Sequence, residues 1–316
     1  MKKVSLMVLL ALALLLCGCK ANIRNPLEAA GSTLVPGTDS EVHSPVARQD
    51  AGDTYQAVLY FRFMQENLLA QESRRLNISM DNSVEKALVA ALMQGPSATS
   101  PELRRLFSGQ VEVLSAVSQG STVFITLSES VLSEPQADRF LQMQSLAATL
   151  CENCGYENVQ VLVDKRSGPT TSLRLSNSFF SPDMDGAAPP LTRDENYLLG
   201  PYRTAQTILN AWLKKDFERL YTFMATQNMA TSAARPPLNT ALIEMDSGFS
   251  LISFGLENGT VFPDGGKAVL GVDMTLLQGT SDKRSIVRYP LTLVRENGIW
   301  KMRYEELMAL IRRDRP

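Results

Sequence analysis

Val84-Glu85-Lys86-Ala87-Leu88-Val89-Ala90-Ala91-Leu92-Met93-Gln94-Gly95-Pro96-Ser97 is the stretch from which the rest of the chain can be read. Val84, Ala87, Leu88, Ala91 and Leu92 recur at three- and four-residue spacing, which brings them to one side of an α-helix as an apolar stripe. Asn82, three residues before Glu85, has the form of a capping box in which Asn82 accepts from the Glu85 amide and Glu85 reaches back. Gly95-Pro96 stops the helix, because glycine tolerates the left-handed cap and proline cannot continue the ladder. Before this helix, residues 55–63 are rich in aromatic and branched side chains and predict a strand. After it, residues 111–117, the turn at Gln119-Gly120 and residues 123–127 predict an antiparallel hairpin. Pro135 opens a second helix, with Ala137, Phe140, Leu141, Ala148 and Cys151 near one face and Gly155 closing it. A strand at 159–163 follows directly, and the whole is an α+β domain.

Over residues 54–175 these signals resemble the GerMN domain of sporulation and germination lipoproteins. The likeness is carried by residues 84–97, by Val113-Leu114-Ser115, by Gly120-Ser121-Thr122-Val123-Phe124-Ile125-Thr126-Leu127-Ser128 and by Val159-Gln160-Val161-Leu162-Val163-Asp164. Its most specific part is the helix end at Leu92, Gly95, Pro96 and Ser97. Two features depart from the family pattern: Ser108-Gly109 replaces a proline-glycine turn, and Cys151 and Cys154 are additional. The resemblance implies an envelope-facing module without catalytic residues and, further, a part in spore formation or germination.

Residues 176–194 hold Pro182, Gly186, Pro189 and Pro190 and read as a linker to a second domain at 195–316. Pro201 opens a helix with a stripe of Tyr202, Ala205, Leu209, Trp212 and Leu213, and Asp216 caps a short helix carrying Phe217, Leu220, Tyr221 and Met224. From Gly248 the period changes to two. Ala268, Leu270, Val272, Met274 and Leu276 face one way, and Val287, Tyr289, Leu291 and Leu293 do the same in the next strand. Asn297-Gly298 and Asn258-Gly259 are hairpin signals, and residues 305–313 form a closing helix with basic residues in its last turn. Helices followed by a long curved antiparallel sheet with packed helices resemble the NTF2-like α+β cone, with residues 211–217 and Leu220-Tyr221 as its helix-turn-helix opening. In that fold Trp212, Tyr221 and Trp300 are the candidate pocket-lining residues, Tyr221 beside Asp216 or Asp273. Core packing is the more frequent role of such side chains.

The address of the protein is written at its start. Lys2 and Lys3 precede an apolar run, residues 4–16, that is too short to span a bilayer as a stable helix. Leu16, Gly18 and Cys19 resemble a lipobox, so residues 1–18 read as a lipoprotein signal peptide and Cys19 as the lipidated first residue. An ordinary secretory signal cut nearby, or a buried cysteine, is the competing reading. Residues 19–53 carry the lipid site and a flexible tether without apolar period, which as a coil holds the first domain on the order of 30 Å from the bilayer. These features place the protein on the extracytoplasmic face of the cell membrane, anchored by lipid.

Composition limits the chemistry. The 316 residues have a formal charge of −2, which loss of Lys2 and Lys3 takes to −4, so there is no basic footprint for nucleic acid. One histidine, His43, lies in the tether, which argues against histidine-dependent catalysis and histidine-rich metal sites. Cys151 and Cys154 have redox spacing but fall at a helix end, where the dipole does not lower a thiol pKa. A structural disulfide or two buried thiols is the favoured reading, a redox site the competing one. Asp81 with Glu85, and Glu305 with Glu306, read as helix-start residues in preference to acid/base pairs. The expected role is therefore non-catalytic, with no cofactor and no metal. It is a membrane-anchored lipoprotein that binds peptidoglycan or another wall component, or an envelope protein partner, with a part in sporulation or germination implied by the resemblance. The alternative is an enzyme acting on peptidoglycan or a small hydrophobic ligand through the NTF2-like cavity. A purely architectural spacer is the third reading.

Overall fold

The strand β1, Asp53–Phe63, is the element on which the N-terminal half is built. The computed structural model describes residues 53–79, 82–165, 172–226, 234–278 and 282–312, all within one compact unit, Asp50–Pro316. Cys19, His43, Asp81 and all but the last residue of the tether lie outside the described residues. β1 pairs along its length with β2, Leu69–Ile78, from Asp53↔Ile78 to Arg62↔Leu69. The sequence did not announce β2, because Gln71, Glu72, Ser73, Arg74 and Arg75 give it no apolar alternation.

The helix α1, Val84–Gln94, buries Leu88, Val89, Ala91, Leu92 and Met93. Its cap is Ser83 and not Asn82. The extended backbone of Ser83 sets its hydroxyl against the Lys86 amide at 3.2 Å, and Glu85 is turned away to accept from the Tyr156 hydroxyl at 2.6 Å. The two-residue strand β3, Leu103–Arg104, then meets β1 only at Arg62 and Phe63. A second sheet has the order β4-β5-β6-β7, formed by Val113–Gln119, Thr122–Ser128, Asn158–Asp164 and Ser172–Arg174. β4 and β5 form the expected hairpin, while β5 and β6 are parallel and joined through α2, Gln136–Cys154.

α2 packs against β1, β6 and α1 and is buried all round from Leu141 to Leu150. Its inner stripe is not the one expected. Ala137 and Phe140 face solvent, and the polar residues Ser145, Thr149 and Asn153 face β1. Asn153 accepts from the Val58 amide at 2.9 Å and donates to the Val58 carbonyl at 2.7 Å. Thr149 accepts from the Tyr60 amide at 3.2 Å, and Ser145 donates to the Tyr60 carbonyl at 2.5 Å. These side chains, four residues apart, stand where a neighbouring strand would, and satisfy the edge of β1 beyond the reach of β3.

Residues 176–194, expected as a linker, are held by strand bridges at Ser176↔Ala187 and Val159↔Leu191, with Phe179 and Ala188 buried. Beyond them come α3, Pro201–Leu213, then α4, Phe217–Thr222, and α5, Leu238–Asp246, the last not foreseen. Asp216 caps α4 as read, accepting from the Arg219 amide at 3.2 Å. The antiparallel sheet after them curls into a half-barrel, with the order β12-β11-β10-β8 and β9 also on β10. Its strands are β8, Ser250–Leu256, β9, Thr260–Val261, β10, Lys267–Gln278, β11, Asp282–Glu296, and β12, Ile299–Met302. The helix α6, Tyr304–Arg312, closes the fold.

Two expectations about this sheet fail for one reason, irregular strands. Val287 is 73 % exposed because a bulge sets Val287 and Arg288 against Asp273 alone. Arg288 has a φ of 50°, and its amide donates to Asp273 at 2.7 Å. Asn258-Gly259 does not turn a hairpin. β8 and β9 lie on the same side of β10 as two pieces of one interrupted edge strand. The actual turn is at residues 263–266, closed by the Phe262 amide on the Lys267 carbonyl at 2.9 Å.

Candidate functional site

The helix-ending Gly95-Pro96-Ser97 is fastened to β2 by a buried carboxylate. Glu72, 5 % exposed, accepts from the Ser97 amide at 2.9 Å and from Arg74 Nε at 2.8 Å, and Arg74 Nη2 donates to the Gly95 carbonyl at 2.9 Å. Gly95 has a φ of 92°, a backbone angle that calls for glycine, and a Cβ there would lie 3.2 Å from the Arg105 side chain, which would have to shift slightly. The loop therefore leaves α1 in one direction, and Ser97, Thr99 and Ser100 follow along the outer edge of β2. The Ser97 and Thr99 hydroxyls are 2.9 Å apart, and the Thr99 amide donates to Ser97 Oγ at 3.3 Å.

The opposite wall comes from the C-terminal half. Asn297 and Gly298 have φ values of 52° and 84°, as a tight two-residue turn between β11 and β12 requires. A Cβ on Gly298 would sit 2.6 Å from the Gln71 carbonyl oxygen, so the turn rests directly on the β2 backbone. Between the walls lies a groove of about 480 Å³, lined among others by Ser73, Arg75, Ser97, Thr99, Ser100 and Asn297. Hydroxyls, an amide and a guanidinium converge there. Glu72, the one carboxylate among the lining residues, is already committed to Arg74 and the Ser97 amide. This set offers hydrogen-bond donors and acceptors of the kind a polar ligand needs. No lining residue pairs a nucleophile with a base, since Ser97 has Thr99 as its side-chain neighbour.

The groove keeps its shape because the two halves are locked beneath it. Lys301, 1 % exposed, bridges Glu102 at 2.5 Å and Glu296 at 2.9 Å. Burial pushes the Glu296 carboxyl up, but hydrogen bonds from Thr226 and Lys301 and the Lys301 charge outweigh it, so its pKa lies below the usual carboxylate range. Arg219 forks onto both oxygens of Glu66 at 2.6 Å, the Phe63 and Phe223 rings meet at 5.0 Å, and the Leu199 amide donates to the Leu69 carbonyl at 2.8 Å.

The residues singled out from sequence lie elsewhere. Trp212 is fully buried, with Nε1 donating to the Phe249 carbonyl at 3.3 Å, and Trp300 is buried at 6 % exposure. The Tyr221 hydroxyl donates to the Pro236 carbonyl at 2.7 Å, with Arg235 over its ring at 4.0 Å. All three are packed, and the inner face of the half-barrel is filled by Leu270, Val272, Met274, Leu276, Leu291 and Leu293. Cys151 and Cys154 are free thiols and not the disulfide considered above. On one helical face their Cβ atoms stand roughly 5–6 Å apart, against about 3.8 Å for a disulfide. Burial pushes both thiols up, Cys154 to about 11, with Glu85 adding to the rise, so neither is activated for redox chemistry. Glu305 and Glu306 do not act as a pair. Glu306 accepts from the Thr292 amide at 2.8 Å beyond the end of β12, and burial raises its pKa. Among the described residues, no group of His, Cys, Asp and Glu is arranged to hold a metal ion.

Residues 58–167, about a third of the chain, match the family model Germane, described as sporulation and spore germination. The tandem GerMN domains of the sporulation protein GerM from Bacillus subtilis are 20 % identical over 45 % of this chain and 46 % of that one, with a TM-score of 0.34. This chain thus spans about half the length of that structure. A candidate lipoprotein from Clostridium perfringens is 19 % identical over 43 % of this chain and 95 % of that one, with a TM-score of 0.26. The first GerMN domain of GerM alone is 13 % identical over 38 % and 94 %, with a TM-score of 0.28. No curated protein matches. The Germane match over residues 58–167 agrees with the resemblance read from the sequence and fits a protein associated with sporulation or germination.

Proposed function

We propose that this protein is a lipid-anchored, extracytoplasmic binding protein of the spore-forming cell envelope, without catalysis, whose ligand is a wall component or an envelope protein partner. The lipid would be carried by Cys19, and the C-terminal half is read as an NTF2-like cone used as structure. The observation that carries the proposal is that the Germane-matching segment ends its first helix in Gly95-Pro96-Ser97, and this loop forms one wall of the polar groove against Asn297-Gly298. A groove of hydroxyls and guanidinium suits a polyhydroxylated or amide-rich ligand. The filled half-barrel supports a structural role for the second half over an enzyme with a substrate cavity.

The test is co-sedimentation with purified wall sacculi, alongside capture from envelope extracts, using the chain and its Arg75→Glu and Thr99→Arg variants. Retention on sacculi or on one envelope protein, lost in both variants while thermal unfolding is unchanged, is the expected result. Retention that ignores both substitutions would remove the groove from the proposal.

A further inference from the structure

On the far side of the N-terminal half, away from β2, β6 and β7 meet α2 and the short turns Glu129–Ser133 and Asn177–Phe179 around a cavity of about 340 Å³. Its floor is apolar. Val163 and Leu175 are 2 % exposed, and Phe179 is also buried, while Leu173, 41 % exposed, stands at the mouth. The titratable side chains that line it, Arg139, Lys165 and Arg174, are all cationic.

Arg139 is a fixed charge in the wall. Its three nitrogens donate to the backbone carbonyls of Glu134 at 2.8 Å, Phe179 at 2.9 Å and Leu132 at 2.9 Å, and its guanidinium lies 4.7 Å over the Phe179 ring. Carbonyl dipoles solvate this cation but do not neutralise it, and among the described residues no carboxylate lies within ion-pair distance. Lys165 and Arg174 also make no ion pair with a described residue. Three positive charges thus border one small apolar hollow. A second observation fixes the shape of what would enter. β7 is the outermost strand of its sheet, and among the described residues its outer side is taken only from Leu175 onward, where the Ala188 amide donates to the Leu175 carbonyl at 2.7 Å and Ser176 pairs with Ala187. Residues 172–174 therefore present a short edge beside the cavity that no described residue pairs with, long enough for two or three residues of extended peptide.

We infer that this cavity binds the free C-terminal carboxylate of a short peptide with small apolar side chains. The carboxylate meets Lys165 and Arg174 in the field of Arg139, the side chains cover Val163 and Phe179, and the backbone pairs with β7. The apolar floor next to the charges favours a peptide end over a bare oxyanion, which brings no apolar atoms to cover it. Wall stem peptides expose such ends, but the inference does not use the junction groove and survives if the envelope reading fails.

The experiment is fluorescence polarisation with the full chain in detergent and N-terminally fluorescein-labelled Gly-Ala-Ala, as free acid and as C-terminal amide. The free acid binds, and the amide is weaker by about tenfold or more, as loss of a charge-assisted contact predicts. Lys165→Ala with Arg174→Ala weakens the acid by a similar factor, and Leu173→Asp does so without touching a cation. All three positions are exposed, and unchanged circular dichroism confirms the fold. Equal affinity for acid and amide, binding that survives all three substitutions, displacement of the peptide by an equal concentration of inorganic phosphate, or no binding would each overturn the inference.

Discussion

Lys301 shows how one side chain ties two halves of a chain. A fully buried ammonium is costly unless paired, and here it is held by a carboxylate from each half, Glu102 and Glu296. Lys301→Ala leaves two carboxylates facing each other across the cavity it vacates, and is expected to destabilise the fold by about 3 kcal/mol, measured by urea unfolding. Glu296→Gln is expected to cost about 2 kcal/mol at neutral pH. The pH dependence separates the two effects. Because the folded-state pKa of Glu296 is lowered, its stabilisation is present above the ordinary carboxylate range and lost as pH falls through the folded value. Glu306 runs the other way, since its raised pKa contributes at low pH and is lost as pH rises. The unfolding midpoint of Glu296→Gln should therefore converge on that of the unsubstituted protein in acid, and a constant gap from neutral pH to pH ~3 would contradict the assignment. None of this was legible beforehand. Lys301 sits in a strand among Trp300 and Met302, and its partners lie five and 199 residues away in sequence.

At the scale of elements, α2 is the instructive case. Its boundaries were readable from Pro135 and Gly155, the latter in the left-handed conformation with a φ of 70°. Its orientation was not. Ser145, Thr149 and Asn153 look like a solvent face, and only the lack of a full neighbouring strand on β1 makes that face the inner one. Asn153→Ala removes both contacts to Val58 and leaves its half-buried backbone groups without a protein partner, with an expected cost of about 1–3 kcal/mol in thermal or urea unfolding. Asn153→Asp, which keeps the acceptor but turns a carboxylate oxygen toward the Val58 and Thr149 carbonyls that the Asn153 amide donates to, should cost at least as much. If Asn153→Ala were neutral, water would have to reach β1 and the proposed edge cover would be wrong. The same contrast holds in the half-barrel. The alternation of β10 was visible from Ala268 to Leu276, whereas the bulge that turns Val287 outward depends on Asp273 accepting the Arg288 amide, which no local pattern encodes.

For the molecule as a whole, Gly95-Pro96-Ser97 and Asn297-Gly298 were each readable as local stops, a helix end and a hairpin tip. That they face one another across a groove is a tertiary fact, set by Gly298 resting on Gln71, by Lys301 and by Arg219 on Glu66. The candidate site was therefore only partly legible: Gly95, Pro96, Ser97, Asn297 and Gly298 were noticed, whereas Ser73 and Arg75 on the unannounced β2, and Thr99 and Ser100, were not. The stretch 176–194 suggested two domains joined by a linker, but Phe63 packs on Phe223, the Leu199 amide donates to the Leu69 carbonyl, and buried apolar residues of both halves belong to one core. Calorimetry is expected to give one cooperative transition for the full chain, and a fragment ending at Leu175 should be less stable and bind hydrophobic dye. Two well-separated transitions would show the halves to be independent.

The pairing of β1 with β2 from end to end has a mechanical consequence. Tension applied at Asp53 along the strand axis would load the ladder with β2 and the clasps from Ser145, Thr149 and Asn153 together, in shear, and would not peel them one after another. A body entered by such a strand resists being drawn out by its leading end.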